Sequence, residues 1–263
     1  MRRASASAKI NLALVVGPVR DDGLHEVATV LQRIDLADRI ELEPAEENSV
    51  SGFAEDTLVA RALDLATAET NDRWRATIEK RIPVAAGLGG GSSDAATTLA
   101  LAGEVLPDDR LHALASQLGS DVPFFLTSGP QLATGTGTEL EPLSLPQDYW
   151  IVLVVPEGVV KPATAEVYSR FDRDEGFEAR RRELVGRVRK IRRPTDLDLL
   201  PPNDLASSPL AAKLRALGAF RADVSGAGPT VYGLFVNERA ARAAAESVRT
   251  AGRVWMTAPA WYG

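Results

Sequence analysis

Lys9 and Asn11 stand two positions apart in Ala8-Lys9-Ile10-Asn11-Leu12. In extended backbone that separation is about 6.5 Å and puts both side chains on one face, so one small molecule can touch an ammonium and an amide together. Such a pair either neutralises an anionic substrate in a polar cleft or belongs to a solvated strand face. Asp121 lies in Leu118-Gly119-Ser120-Asp121-Val122-Pro123-Phe124-Phe125, enclosed by apolar residues. A carboxylate there either bonds its own turn backbone or stands ready to accept the proton of a hydroxyl. The strongest local signal is Ala86-Gly87-Leu88-Gly89-Gly90-Gly91-Ser92-Ser93-Asp94-Ala95-Ala96. Glycines let backbone amides approach an anion, and a helix beginning at Ser92 or Ser93 aims unpaired N–H groups and its positive dipole end at the same spot. The expectation is a phosphate cradle. It is not the lysine-bearing P-loop, because no Lys follows the glycines, and a flexible turn with a serine cap is the competing reading.

A second glycine segment, Val224-Ser225-Gly226-Ala227-Gly228-Pro229-Thr230, falls between two predicted strands. It either brings more backbone amides to the phosphates or closes a hairpin. His25 follows a polar turn over residues 20–24 and suits a structural role as well as a ligand contact. His112 has no partner at metal spacing, and the two histidines and zero cysteines leave no material for a His-rich or thiolate metal site.

These residues need elements to hold them. Ile10, Leu12, Leu14 and Val16 alternate with Lys9, Asn11, Ala13 and Val15, the period of two that predicts a strand with one face on the core. Strands are also expected at 39–43, 74–79, 149–155, 230–236 and 254–257. Helical periodicity predicts helices at 25–33, 57–68, 93–105, 108–118, 178–191, 209–217 and 238–250. Eight basic residues fall within 180–193, but Phe177, Leu184, Val188 and Ile191 form one apolar face among them. That pattern reads as a solvated amphipathic helix rather than an RNA surface.

The composition, 45% hydrophobic and 25% charged over 263 residues, excludes a disordered, collagen-like or coiled-coil chain. A formal charge of −6 disfavours generic polyanion binding, so no nucleic-acid partner is expected. Residues 1–145 carry 12 basic and 22 acidic side chains, against 18 and 14 in 146–263, so two parts are expected to meet near 146. No apolar run reaches the 18 residues of a membrane helix, and Lys9 and Asn11 interrupt the only stretch that imitates a signal peptide. A cytoplasmic protein without a membrane partner is expected.

Taken in order, Ala8-Lys9-Ile10-Asn11-Leu12, Asp22-Gly23-Leu24-His25-Glu26, Lys80-Arg81-Ile82-Pro83 running into the glycine loop, Gly119-Ser120-Asp121-Val122-Pro123-Phe124 and Ser225-Gly226-Ala227-Gly228-Pro229-Thr230 resemble the GHMP kinase superfamily. The resemblance spans nearly the whole chain. Within the superfamily the first and fourth motifs are similar to the branch acting on a cytidyl-diphosphate methylerythritol in non-mevalonate isoprenoid synthesis. What this implies is an α+β fold of two domains, an ATP-binding domain at 1–145 and a C-terminal domain at 146–263, with ATP and substrate in the cleft between them. The implied reaction is phosphorylation of the 2-hydroxyl of that substrate, with ATP and Mg²⁺.

Carried over by motif, Lys9 and Asp121 match the family's catalytic pair, Asn11 a contact to the erythritol part and His25 the residue that reads cytosine. Tyr168, in Ala165-Glu166-Val167-Tyr168, is similar to the aromatic that stacks on the base, with Leu24 on the other face. Pro83, Ala85, Gly87, Leu88, Gly89, Gly90, Gly91, Ser92 and Ser93 match the loop around the triphosphate. Ser225, Gly226, Ala227 and Gly228 match the loop beside it, and either Ser92 or Ser93 would hold Mg²⁺. Three positions depart from the pattern: Ser7 replaces the usual proline, the segment Asp56-Thr57-Leu58 lacks the usual asparagine before its leucine, and Leu24 replaces the usual tyrosine before the histidine. Two other functions stay open at this point, a kinase for mevalonate, homoserine or a sugar, and a non-catalytic nucleotide-binding module.

Overall fold

A computed structural model describes residues 1–53, 56–159, 164–171 and 176–260. Strands β1 (Arg2–Val19) and β2 (His25–Pro44) form one long antiparallel ribbon. β2 is the centre of a six-stranded sheet. One of its edges carries β1; the other is shared by β4 (Trp74–Glu79), opposite residues 39–44, and β5 (Gln131–Thr134), opposite residues 29–31. β3 (Ser49–Ser51) runs parallel to β4, and β6 (Glu139–Pro142) antiparallel to β5. Then the chain starts a second, wholly antiparallel sheet in the order β10-β7-β9-β8: β7 (Trp150–Pro156), β8 (Arg221–Val224), β9 (Val231–Phe235) and β10 (Gly252–Thr257).

Helices cover what the sheets leave. α1 (Thr57–Thr70), α2 (Gly90–Ala102) and α3 (Asp108–Leu118) bury Leu63, Leu99 and Leu114 against Leu31, Ile40 and Leu42 of β2. The core between the two sheets joins Ile10, Leu12 and Val30 to Ile151, Leu153, Tyr232 and Leu234, and receives Phe177, Leu184 and Val188 from α5 (Phe177–Val188). α6 (Pro209–Ala216) and α7 (Glu238–Ser247) pack on the second sheet through Leu214, Ala241 and Ala244. The short helix α4 (Thr164–Ser169) precedes α5. The basic run lies on α5, where Arg181 pairs with Glu178 and Arg187 with Glu183, while the apolar face sits in the core. Among the described residues no helix is long and apolar enough to cross a membrane.

Two sequence expectations need correction. Residues 25–33 are not helical but the first half of β2. Val27, Val30, Leu31 and Ile34 have helical spacing, yet this stretch is buried on both faces, and a strand packed on both sides has no reason to alternate. In β1, a bulge between Asn11 and Ala13 shifts the register, so the side-chain parity changes within the strand. Ile10, Leu12, Ala13 and Val15 therefore face the shared core, while Leu14 and Val16 join Val27 in a separate cluster.

Candidate active site

Strand β1 brings Lys9 and Asn11 to a cavity of about 790 Å³, near the upper end of the usual range for ligand pockets. Both are buried, and each is held by its neighbours. Lys9 Nζ donates to Asn11 Oδ1 at 2.7 Å and lies 3.4 Å from Asp121 Oδ2. Asn11 Nδ2 donates to Thr29 Oγ1 at 2.9 Å, whose hydroxyl donates in turn to the Ala13 carbonyl at 2.6 Å. That chain fixes the Asn11 amide with its oxygen toward the ammonium. Asp121 follows α3, and its half-exposed carboxylate opens on the cavity. The one-turn helix Pro123–Leu126 behind it is pinned by Arg33, whose guanidinium donates to the Phe124 and Phe125 carbonyls and lies over both rings. Burial pulls the Arg33 guanidinium down to about 10.

The glycine loop is built so that its carbonyls are occupied and its amides are free. Ala86 O accepts from Thr230 Oγ1 at 2.6 Å, Gly87 O from Ser225 Oγ at 3.0 Å, and Leu88 O from the Lys9 backbone N–H at 2.9 Å. α2 starts at Gly90, not at Ser92 or Ser93, with Gly89 in the left-handed region at φ 72 and no side-chain cap. The first-turn N–H groups of Gly90, Gly91 and Ser92 therefore lack helical acceptors, and these three residues line the cavity. A serine at the cap would have consumed one of these donors; the cap is instead a left-handed glycine, which no side-chain rule marks, so the sequence reading of a serine start placed the helix two or three residues late.

Pro83, Ala85, Gly87, Leu88 and Gly89 line the same cavity, and so do Gly226 and Ala227. Ser93, Ser225 and Gly228 do not. Ser93 is buried in α2, and Ser225 is wholly buried, joining the two glycine segments through its hydroxyl. Of the two serines weighed for a cation, only Ser92 faces the cavity.

At the other end, the turn between β1 and β2 presents Leu24, 49% exposed, and His25 to the cavity. His25 Nδ1 is 2.8 Å from the Gly17 carbonyl, and its ring lies 5.6 Å from Tyr168 and 6.2 Å from Phe171. Burial, helped by the Asp121 charge, pushes the Tyr168 hydroxyl above its ordinary value.

Sequence reasoning missed a buried ionic cluster behind the cradle. Lys80 Nζ lies 2.5 Å from Asp38 Oδ2 and 2.7 Å from Asp94 Oδ2, tying the start of α2 to the sheet, and Asp38 Oδ1 also accepts from the N–H groups of Arg81 and Ile82. Burial raises the Asp94 carboxyl to about 7, against the pull of Lys80 and with the push of Asp38 and Asp56. For Lys80, burial opposes the charge but the two carboxylates outweigh it, so its pKa is raised. The one signal available in sequence was an aspartate set in an Ala- and Leu-rich helix.

Free amides at a helix start, a buried ammonium and an open carboxylate in one cavity are the equipment of a small-molecule kinase. Residues 57–129 match the family model described as GHMP kinases N terminal domain, and residues 206–254 that described as GHMP kinases C terminal. A solved mevalonate kinase from Methanococcus jannaschii shares the fold at 15% identity, TM-score 0.74, with 98% of each chain covered. Closer similarity narrows the class. The 4-diphosphocytidyl-2-C-methyl-D-erythritol kinase of Pelotomaculum thermopropionicum is 40% identical over 94% of this chain and 93% of its own, and that of Geobacter sulfurreducens 35% identical over 96% of each. A solved 4-(cytidine 5'-diphospho)-2C-methyl-D-erythritol kinase is 35% identical with a TM-score of 0.78, covering all of both chains. The chain belongs to the 4-diphosphocytidyl-2-C-methyl-D-erythritol kinase family.

Proposed function

We infer that this protein transfers the γ-phosphoryl group of ATP to the 2-hydroxyl of 4-(cytidine 5'-diphospho)-2-C-methyl-D-erythritol, a step of non-mevalonate isoprenoid precursor synthesis. The observation that carries this reading is the meeting of Lys9, Asn11 and Asp121 beneath the free amides of the glycine loop, in a cavity that also holds His25 and Tyr168. Phosphoryl transfer to an alcohol asks mainly for positioning and charge neutralisation. The amides of Gly90, Gly91 and Ser92 receive phosphate oxygens, and the Lys9 ammonium stabilises the charge that builds as the bond to the ADP oxygen breaks. Asp121 orients the acceptor hydroxyl and takes its proton as the new P–O bond forms. Asn11 holds the polyol. His25 and Tyr168 receive the cytosine ring, with Leu24 supplying an apolar contact in place of a second aromatic.

Mg²⁺ supplies neutralisation of the phosphate charges when bound. The Ser92 hydroxyl, a hard oxygen donor that lines the cavity, is the residue that would hold it. In this reading residues 1–145 bind the nucleotide, and 146–263 complete the cleft with Tyr168 and the second glycine segment.

A coupled ADP-release assay with the cytidyl alcohol, followed by ³¹P NMR of the product, tests the reading. Expected is stoichiometric ADP and a new phosphomonoester on carbon 2. ADP release no greater with the alcohol than without it would refute the assignment.

A further inference from the structure

The second glycine segment offers the cavity no polar side chain; what it offers is backbone. Gly226 and Ala227 line the cavity. A Cβ placed on Gly226 would stand 3.2 Å from Asn11 Oδ1 and 3.7 Å from Lys9 Nζ, so this backbone lies against the two polar head groups of β1. The orientation of the Gly226–Ala227 peptide therefore decides whether a carbonyl or an N–H confronts whatever sits beside Lys9.

Asn203 sets that orientation from behind. It is buried in the segment after the short helix Pro194–Leu199 and does not line the cavity. Its Nδ2 donates to the Val224 carbonyl at 2.9 Å and to the Gly226 carbonyl at 2.7 Å, which uses both amide hydrogens. Its Oδ1 accepts from Leu205 N–H at 2.8 Å, and its own N–H donates to Asp223 Oδ2 at 2.9 Å, so only one side-chain orientation satisfies every group. A trans peptide is planar, with its C=O and N–H pointing in opposite directions. Because the Gly226 carbonyl is held toward Asn203, the Ala227 N–H is turned away from Asn203, and Ala227 is a residue of the cavity wall next to the Gly226 backbone that lies against Asn11 and Lys9. Among the described residues neither it nor the Gly226 N–H has an acceptor, whereas the N–H groups of Ser225 and Gly228 are spent on Thr230 O and Ser225 O at 2.9 Å each; the Ala227 N–H is the one whose direction the grip on the Gly226 carbonyl fixes.

We propose that Asn203 is a positioning residue for phosphoryl transfer, which by holding the Gly226 carbonyl presents the Ala227 N–H as a donor to a phosphate oxygen at Lys9. The proposal rests on the kinase reading above. A fixed, unpaired amide beside an ammonium needs no reorganisation when charge moves onto the transferring oxygens. An aspartate at 203 would keep the size and the bond from Leu205 N–H, but would turn an oxygen toward two carbonyl oxygens.

Two measurements test it. Asn203→Asp and Asn203→Ala are compared with wild type for kcat, for KM toward ATP and the cytidyl alcohol, and for melting temperature, with active sites counted by nucleotide titration. Since deleting an oxyanion donor outright costs about 10² to 10³, displacing one should lower kcat per active site by roughly tenfold or more in both variants, with KM for the cytidyl alcohol nearly unchanged. The second measurement needs no variant: amide hydrogen exchange at Ala227 in ¹⁵N-labelled wild type, with and without β,γ-methylene-ATP plus the cytidyl alcohol. Slower exchange at Ala227 on adding the ligands supports the assignment even where a variant fails to fold. Wild-type kcat in Asn203→Asp, or exchange at Ala227 indifferent to the ligands, overturns it. Wild-type turnover in the same assay separates the levels: turnover with no response at Ala227 overturns this assignment alone, whereas no turnover overturns the kinase reading and this assignment with it.

Discussion

Lys9 Nζ and Asp121 Oδ2 lie 3.4 Å apart, close enough, in the proposed mechanism, to serve one phosphoryl group with separate tasks. Asp121→Asn should lower kcat by at least about a hundredfold with ATP binding retained, since positioned acid–base groups contribute about 10² to 10⁴. Steady-state kinetics and a nucleotide titration decide, and near-normal turnover would remove Asp121 from the chemistry. At the base end, Tyr168→Ala should cost about 1 to 3 kcal/mol of stacking, a rise of roughly five- to 150-fold in KM for the cytidyl substrate where KM follows affinity. Leu24 is half exposed at the cavity rim rather than packed in the core, so Leu24→Tyr has room. It should lower that KM a few-fold and leave KM for ATP unchanged; a lower melting temperature with no gain in affinity would place the base elsewhere. Residues inside compact motifs, such as Lys9, Asn11, Asp121 and the glycines, were legible in the sequence because their chemistry and spacing are local. The Lys80, Asp38 and Asp94 cluster and the grip of Asn203 were not, because each joins positions brought together only by the fold.

Two elements, β1 and the glycine loop, are interlocked through Lys9 and the segment from Ser225 to Thr230, and the loop's glycines differ in what they do. At Gly87, φ is 80, and a Cβ would lie 2.6 Å from the carbonyl oxygens of both Ser225 and Gly228. At Gly91 a Cβ would meet only Asp56 and Leu58, at an ordinary 3.8 Å. Gly87→Ala should therefore lower the melting temperature and loosen both glycine segments. Gly91→Val should remain folded by circular dichroism yet lose nucleotide affinity, because its branches occupy cavity space. Equal behaviour of the two variants in both measurements would contradict a cradle held from one side and open on the other. Most helices were legible from their period and ends. The start of α2 was not, because its cap is a left-handed glycine that no side-chain rule marks, and the first half of β2 was not, because burial on both faces erases alternation. Strands of three or four residues, such as β3, β5 and β6, are too short to display a period.

For the molecule as a whole, the buried Asp94 carboxyl links folding to pH. Its pKa rises from an ordinary 3.8 to about 7 in the folded state, chiefly through burial. Between those values the folded state binds more protons than the unfolded one, so this group makes stability fall as pH rises from about 4 to about 7, with no further change above. Asp94→Asn removes the titration. The melting temperature of the variant relative to wild type should climb across that window and level off beyond it, and a constant difference would mean that Asp94 is already ionised at its lower edge. The α+β class was legible from the mixture of periods, but the division of the strands into two sheets was not, because period alone does not say which strands pair. The core joining the sheets was not, because nothing in either half's pattern reveals which apolar faces meet.

In the proposed function this cleft selects an alcohol bearing a cytidine diphosphate and phosphorylates it. The most direct test is kcat/KM by ADP release across the cytidyl alcohol, mevalonate, homoserine and galactose, under one set of conditions and ATP concentration. The expected result is turnover of the cytidyl alcohol at least about a hundredfold above any other acceptor, since a site built to hydrogen-bond a base strongly rejects substrates that lack one. Comparable turnover of mevalonate, homoserine or galactose would contradict it.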